Sequence, residues 1–507
     1  MANRWVRWGV LPALAGGLVF LAVAAWLLRP THVASVVEDG LSEHLGLDAS
    51  IEAIEVRLWP RPSVSGTGLR LRIPDRPDLP PFIEIERFAV EVGLLSVMRR
   101  HVNLVRADGL RISVPPKDSR RALPKGSGNS KTEIIIEHFM TRDAALIFVP
   151  RDPARKPLAF AIHALDVRNI GFGLPIPFEA TLTNPVPRGL VKAHGLIGPI
   201  VETNAEATPV SGDYEFIDAD LSTINGIGGV LQSTGRFTGP LTAIAASGRA
   251  TIPEFSLDLG GKPVELVADF DTLVDGTNGT TTLTRVDAVL RNTPMQVTGA
   301  ISNLDGPGRH DVDLAVKITD GRIEDVLALV LDTPEPVMIG DVTVDAHLKL
   351  PPGEPRVRDR IEVSGTFGLS GTRFTDADVQ SKLQNLSRRS QGKDQDDPIG
   401  RVLTNLRGEI RLAGGSAQLT RVTFQVPGAR VALAGRYTLA TGGMDFRGTL
   451  RMQATVSRAV GGFKSIFIKP FDGLFRKDGA GAVLPIKITG TREAPKFGLE
   501  VGRILGR

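Results

Sequence analysis

The sequence predicts a mainly β protein preceded by one apolar helix. Three observations carry this reading. Residues 8–28 (WGVLPALAGGLVFLAVAAWLL) hold no charge between Arg7 and Arg29. Beyond them, short apolar runs alternate strictly with polar residues. Glycine (55) and proline (35) punctuate those runs rather than clustering. Period-2 alternation between turn residues is how an all-β chain is written.

The apolar run comes first. At 1.5 Å per residue it makes a helix of roughly 31 Å, about the thickness of a bilayer's hydrocarbon core. Trp8, Leu11, Leu14, Leu18, Phe20, Leu21, Val23, Trp26 and Leu28 supply its apolar surface, with tryptophans at both ends where their rings favour the interface. Arg4 and Arg7 before the run, against Arg29 after it, place the amino terminus in the cytoplasm. The alternative is a cleavable signal peptide with Ala22-Val23-Ala24 as its small-x-small site, although the run exceeds an ordinary signal core. Either reading delivers the rest of the chain across the membrane.

Composition removes several function classes. With no cysteine there is no disulfide, thiol nucleophile or thiolate metal site, which suits a large exported bacterial protein. A net charge of +4 over 507 residues gives no field for nucleic acid. Aromatics at 5% leave little for base stacking.

In chain order, residues 32–45 place Val33, Val36, Val37, Leu41 and Leu45 at helical spacing, and Gly46 ends that helix. Strands follow in IEAIEVRL and SVSGTGLRLRI, then in FIEIERFAVEV and VNLVRADGLRISV, with 94–100 as a short helix or turn between. Residues 115–131 read as a basic loop, either solvated or touching anionic headgroups.

Residues 133–357 are repetitive. Val264, Leu266, Ala268 and Phe270 share one parity, as do Val312, Leu314, Val316 and Ile318, and again Val342, Val344, Ala346, Leu348 and Leu350. Each run implies one buried and one wet face. Apolar-x-Gly-x units (STGRF, ASGRATI, VTGAI, VSGTF, LAGRY, ITGTR) recur without a fixed period, and a sheet that curls along its length needs such glycines. Residues 322–331 read as a helix. After a strand from Ser364, a second helix begins near Asp376, and 406–456 form a meander. Residues 457–479 mix apolar and basic side chains and read as a helical cap, the alternative being a membrane-facing segment.

Catalytic and metal motifs are missing. The eight histidines are scattered, and no H-E-x-x-H, P-loop, G-x-S-x-G or dinucleotide fingerprint occurs. Asp394, Asp396 and Asp397 lie in an acidic stretch with no EF-hand pattern. The expectation is a protein that is not an enzyme and carries no cofactor.

With these features in view, the chain resembles the AsmA-like family of bacterial envelope proteins. The likeness rests on LGLDASIEAIEVRLWPRPSVSGTGLRLRI with its W-P break, on FIEIERFAVEVGLLSVMRRHVNLVRADGLRISVPP, on GTRFTDADVQSKLQNLSRRSQGK and on LPIKITGTREAPKFGLEV. The resemblance implies an inner-membrane anchor (1–30), an N-terminal unit (31–132), a β-groove body (133–357) and a C-terminal β region with helices (358–507). It further implies a periplasmic body, similar to chorein-type bridge proteins, in which an elongated, curled antiparallel sheet forms an apolar groove for phospholipid in outer-membrane biogenesis. The lining would include Val422, Phe424, Val426, Val431, Leu433, Phe446, Leu450, Ile486 and Ile488, for each of which ordinary core packing is the plainer reading. Half-apolar strands must bury one face against something. An array of β-sandwiches does so against other sheets, a groove against lipid tails, and the residues alone leave both open. The alternative function is a scaffold that assists outer-membrane protein assembly through exposed sheet edges. Its partner proteins are not identifiable from sequence.

Overall fold

The computed structural model describes residues 38–39, 42, 46–57, 62–74, 76–93, 101–115, 135–150, 157–171, 173–201, 207–224, 226–276, 279–303, 310–353, 357–391, 393, 403–453, 482–491 and 494–499. The apolar run at 8–28, with all nine of its anchor residues, lies outside them, as do segments 94–100 and 457–479 and nearly all of 115–131. Among the described residues, no helix is long and apolar enough to cross a membrane. Of the helix expected at 32–45, Glu38, Asp39 and Ser42 are described as helical, and Gly46 follows at φ +61°. Its N–H donates to the Ser42 carbonyl at 2.8 Å.

The chain then builds a unit around a buried core. β1 (Asp48–Ser50) and β2 (Ala53–Arg57) both pair with β3 (Ser63–Arg72), which pairs with β4 (Ile83–Glu91). β5 (His101–Val102), β6 (Leu104–Asp108) and β7 (Arg111–Val114) follow, and all three run parallel to β8 (Ile135–Phe148). The sheet is therefore mixed where the alternation suggested antiparallel pairing throughout. The connection between β7 and β8 is long enough to return the chain in parallel, which a tight hairpin cannot do. Leu69, Leu71, Ile83 and Ile85 are at most 1% exposed in a core that continues to Phe139, Val167 and Ile176. Each such side chain stabilises the unit by about 1.5–3 kcal/mol.

From β8 onward the chain is a meander. Its strands are β9 (Leu158–Ile170), β10 (Ile176–Pro185), β11 (Arg188–Ile197), β12 (Pro209–Asp220), the two-residue β13 (Ile227–Gly228) and β14 (Val230–Pro240). They continue as β15 (Ile244–Leu257), β16 (Val264–Val274), β17 (Thr281–Leu290), β18 (Thr293–Asn303), β19 (His310–Arg322), β20 (Met338–Leu350) and β21 (Glu362–Phe374). The last are β22 (Thr404–Ala413), β23 (Ser416–Val426), β24 (Ala429–Thr438), β25 (Gly443–Met452), β26 (Ala482–Thr491) and β27 (Pro495–Leu499). Leaving aside β13, which pairs with β15, each strand is antiparallel to the one before it.

Among the described residues, three short α-helices interrupt the meander: α1 (Ile323–Ala328), α2 (Val357–Arg360) and α3 (Ala377–Ser390). α1 is shorter than the expected 322–331, because Arg322 still belongs to β19. α3 begins where the sequence placed it, with the Gln380 N–H donating to the Asp376 carbonyl at 3.0 Å.

The strands form one large curled sheet, not an array of sandwiches. The principal contacts of β9–β27 are with hydrogen-bonded neighbours, together with those of α1 and α3 on the sheet. Directly paired residues point to the same face. An unbroken line of such pairs runs from Leu165 in β9 to Ile488 in β26, hydrophobic or glycine at every position. It includes Tyr214↔Gly235↔Gly248↔Phe270 and Gly365↔Ile410↔Leu419↔Gly435↔Phe446↔Ile488. At ~4.8 Å per strand, a ribbon running from β8 to β27 measures roughly 85 Å along the sheet.

The irregular Gly units of the sequence fall on this face, where curling crowds the backbone. A Cβ at Gly435 would strike the Asp445 carbonyl oxygen and lie 2.5 Å from the Phe446 ring. Bulges in most ladders, such as those at 216/219, 318/321 and 419/422, add the bend that regular pairing would resist. Gly435→Val is expected to cost about 1–3 kcal/mol by overpacking. Gly171→Ala, whose new atom would meet only Ile135 Cγ1 at 3.4 Å, is expected to change stability little. Urea midpoints of the two variants check this contrast.

Candidate functional site

A hollow on the apolar face lies over β10–β16. It encloses about 530 Å³ and is lined by Phe178, Tyr214, Phe237 and Phe270 with Ile197, Val210, Ile244 and Val274. Its shape comes from aromatic rings laid over glycines on the adjacent strand. Phe237 covers Gly212, Tyr214 covers Gly235 and Phe270 covers Gly248, at 2.9, 3.0 and 3.2 Å from where a Cβ would sit. A ring beside a glycine fills the width of two positions while keeping the floor low. Any larger residue in place of those glycines would close the hollow.

Polar groups in the hollow are already engaged. The Tyr214 hydroxyl lies 3.2 Å from Ser233 Oγ, and Thr272 Oγ1 donates to the Ala246 carbonyl at 3.2 Å. Burial pushes the Tyr214 phenol above its usual value, outweighing the Ser233 contact, so it stays neutral. A ligand here meets hydrocarbon and saturated hydroxyls, so apolar contact is the binding chemistry on offer.

The nine residues expected to line a groove sit on this same face, farther along the sheet. Val422 pairs with Leu433, Phe424 with Val431, Val431 with Leu450, and Phe446 with Ile488, while Ile486 lies opposite Gly448. Val422, Val426 and Val431 are buried, and the other six are half-buried. Val426 and Ala429 form a buried cluster on which Phe424, Leu450 and Leu386 of α3 pack. These positions meet protein. Leu433, Phe446, Ile486 and Ile488 are half-buried and lie outside that cluster.

α1 covers the same rim of the face at β19–β22. Its Ile323, Val326 and Leu327 pack with Ile318, Val342, Leu369 and Leu406. Two acidic residues of its first turn fix it there. Asp325, 1% exposed, accepts from the Asn292 N–H at 3.1 Å and from Thr293 Oγ1 at 3.0 Å. Glu324 accepts from the Gly340 N–H at 3.2 Å.

The aromatic hollow was missed in the sequence, although a signal was present. Gly-x-aromatic occurs at Gly212-Asp213-Tyr214, Gly235-Arg236-Phe237, Gly365-Thr366-Phe367 and Gly435-Arg436-Tyr437. Spacing within one strand does not reveal which glycine on the next strand each ring will cover.

Among the described residues, no group of three or more metal-ligating side chains comes together. The acidic stretch of Asp394, Asp396 and Asp397 lies outside the described residues. On the wet face, His138 Nε2 is 2.6 Å from Asp166 Oδ2. Partial burial would raise the Asp166 carboxyl, but hydrogen bonds from His138 and Arg168 hold it below the ordinary range. No protein-family model matches this chain, and no curated protein matches it.

Two outcomes are expected. Phe424→Asp or Leu450→Asp places a charge beneath α3, where an unpaired carboxylate costs about 3 kcal/mol or more, so both should melt cooperatively at lower urea. His310, its pKa lowered by burial, is favoured neutral in the fold. The unfolded chain takes up that proton below about its ordinary 6.5, so stability falls as pH drops through 6.5 towards the folded value. The wild-type urea midpoint should therefore fall between pH 7.5 and 5.5, and His310→Gln should lose less over the same interval.

Proposed function

We propose that this chain is a non-enzymatic envelope protein of the AsmA-like type, whose curled sheet binds or conducts phospholipid along its apolar face. In this reading, residues 8–28 anchor it in the bacterial inner membrane with a cytoplasmic amino terminus. The body stands in the periplasm and serves outer-membrane biogenesis and envelope homeostasis. The supporting observation is the unbroken apolar line from Leu165 to Ile488, over which no described strand lies as a second layer. An apolar face of that extent needs a cover. Acyl chains fit because they are long, apolar and free of hydrogen-bonding groups along their length, matching a track whose hydroxyls are already paired. The aromatic hollow over β10–β16 is one seat on that track. Leu433, Phe446, Ile486 and Ile488 are its continuation, and Val422 and Val431 form part of its floor.

A scaffold acting through a sheet edge is a second reading, favoured by one feature. β27 pairs with β26 alone, so among the described residues its other side is an open edge.

The two are separated by lipid content. Full-length protein extracted in mild detergent should carry phospholipid detectable by mass spectrometry. Phe237→Asp with Phe270→Asp should reduce that lipid at least about fivefold while the β circular dichroism is kept, because these charges enter a half-exposed hollow rather than a closed core. Equal lipid on both proteins, or none on the wild type, would sink the conduit and favour the edge scaffold.

A further inference from the structure

The convex face is divided by charge along the ribbon. Strands β12–β19 carry twelve acidic and five basic residues. Strands β22–β27 carry nine basic residues and two acidic ones, Glu409 and Asp445. Both of those acids are engaged, Glu409 with Arg421 and Asp445 with Arg447 at 3.7 Å. The basic side chains point away from the apolar face, since Arg436 lies opposite Asp445 between pairs that point inward, and Arg407, Arg411, Arg430 and Arg451 are exposed.

Two pairings bring like charges together. Arg430 stands directly opposite Arg451, and Arg447, which also reaches Asp445, stands directly opposite Lys487. Like charges facing each other across a ladder destabilise a sheet. Such pairs are offset when an anionic surface lies over them. We propose that the convex face of β22–β27 docks on an anionic bilayer surface, its guanidinium and ammonium groups meeting lipid phosphates. The acidic strands of a second copy offer the opposite charge but intersperse five bases among twelve acids, whereas an anionic bilayer presents phosphates throughout. The inference concerns the face opposite the proposed acyl track and does not rest on it.

The test uses the full-length protein with phosphatidylcholine vesicles and with phosphatidylcholine vesicles containing phosphatidylglycerol, read by flotation. The apolar run at 8–28 contributes equally to both, so the ratio of the two partitions isolates charge. Roughly tenfold preference for the anionic vesicles is expected at low salt, collapsing towards unity at about 0.5 M. Arg411→Gln, Arg436→Gln, Arg451→Gln and Lys487→Gln combined should abolish the preference. That variant should keep its fold, because it relieves both like-charge pairs, and circular dichroism verifies this. Equal partition of the wild type, or a preference that a folded variant retains, overturns the proposal. So does salt-sensitive self-association without vesicle preference, which would assign the face to a second copy.

Discussion

A sheet that curls across its strands has less room on its inner side than on its outer side, and most of this structure follows from that inequality. Inward Cβ atoms are driven towards the carbonyl oxygens of the next strand, so the tightest positions admit only hydrogen. That is why Gly235, Gly248, Gly365 and Gly435 share one line of pairs although their sequence spacing is irregular. Outward residues spread apart, which leaves room for long charged side chains at nearly every second position. The division into an apolar inside and a charged outside is therefore also a division by size.

The same geometry explains why the two ends of the described chain differ. Around β3, β4 and β8 the strands share one buried core, and side chains such as Leu69 and Leu71 vanish from solvent. Along the meander no described strand lies over the apolar face as a second layer, and many inward residues, such as Leu433 and Phe446, remain half-buried. The helices are held over the rim by polar contacts to turns and strands, Asp325 to Asn292 and Ser387 Oγ to the Pro427 carbonyl at 2.8 Å. Their apolar contacts are few, which leaves most of the face open.

What was legible in the sequence was local. The alternation at Val264–Leu266–Ala268–Phe270 gives the strand and its inward face, because burial with period 2 needs no knowledge of neighbours. The break at Gly46 and the start of α3 after Asp376 were readable for the same reason. Three things were not. The parallel return of β5–β7 onto β8 depends on a long connection. The packing of Leu386 with Phe424 and Leu450 against the cluster of Val426 and Ala429 joins residues distant in sequence. The seating of Phe270 over Gly248 depends on register between strands, and period-2 patterns fix a face without fixing a partner.

In an antiparallel meander, alternate connections emerge from the same rim, so the turns bearing α1 and α3, between β19 and β20 and between β21 and β22, lie on one side. Adding a single strand upstream would send every later connection to the opposite rim and carry both helices with it. Adding a hairpin would not. A ribbon of this kind can lengthen only in pairs of strands, roughly 10 Å at a time, if its helices are to stay on one margin. Its reach is thus quantised by topology, and gene duplication of hairpins is the cheapest way to change it.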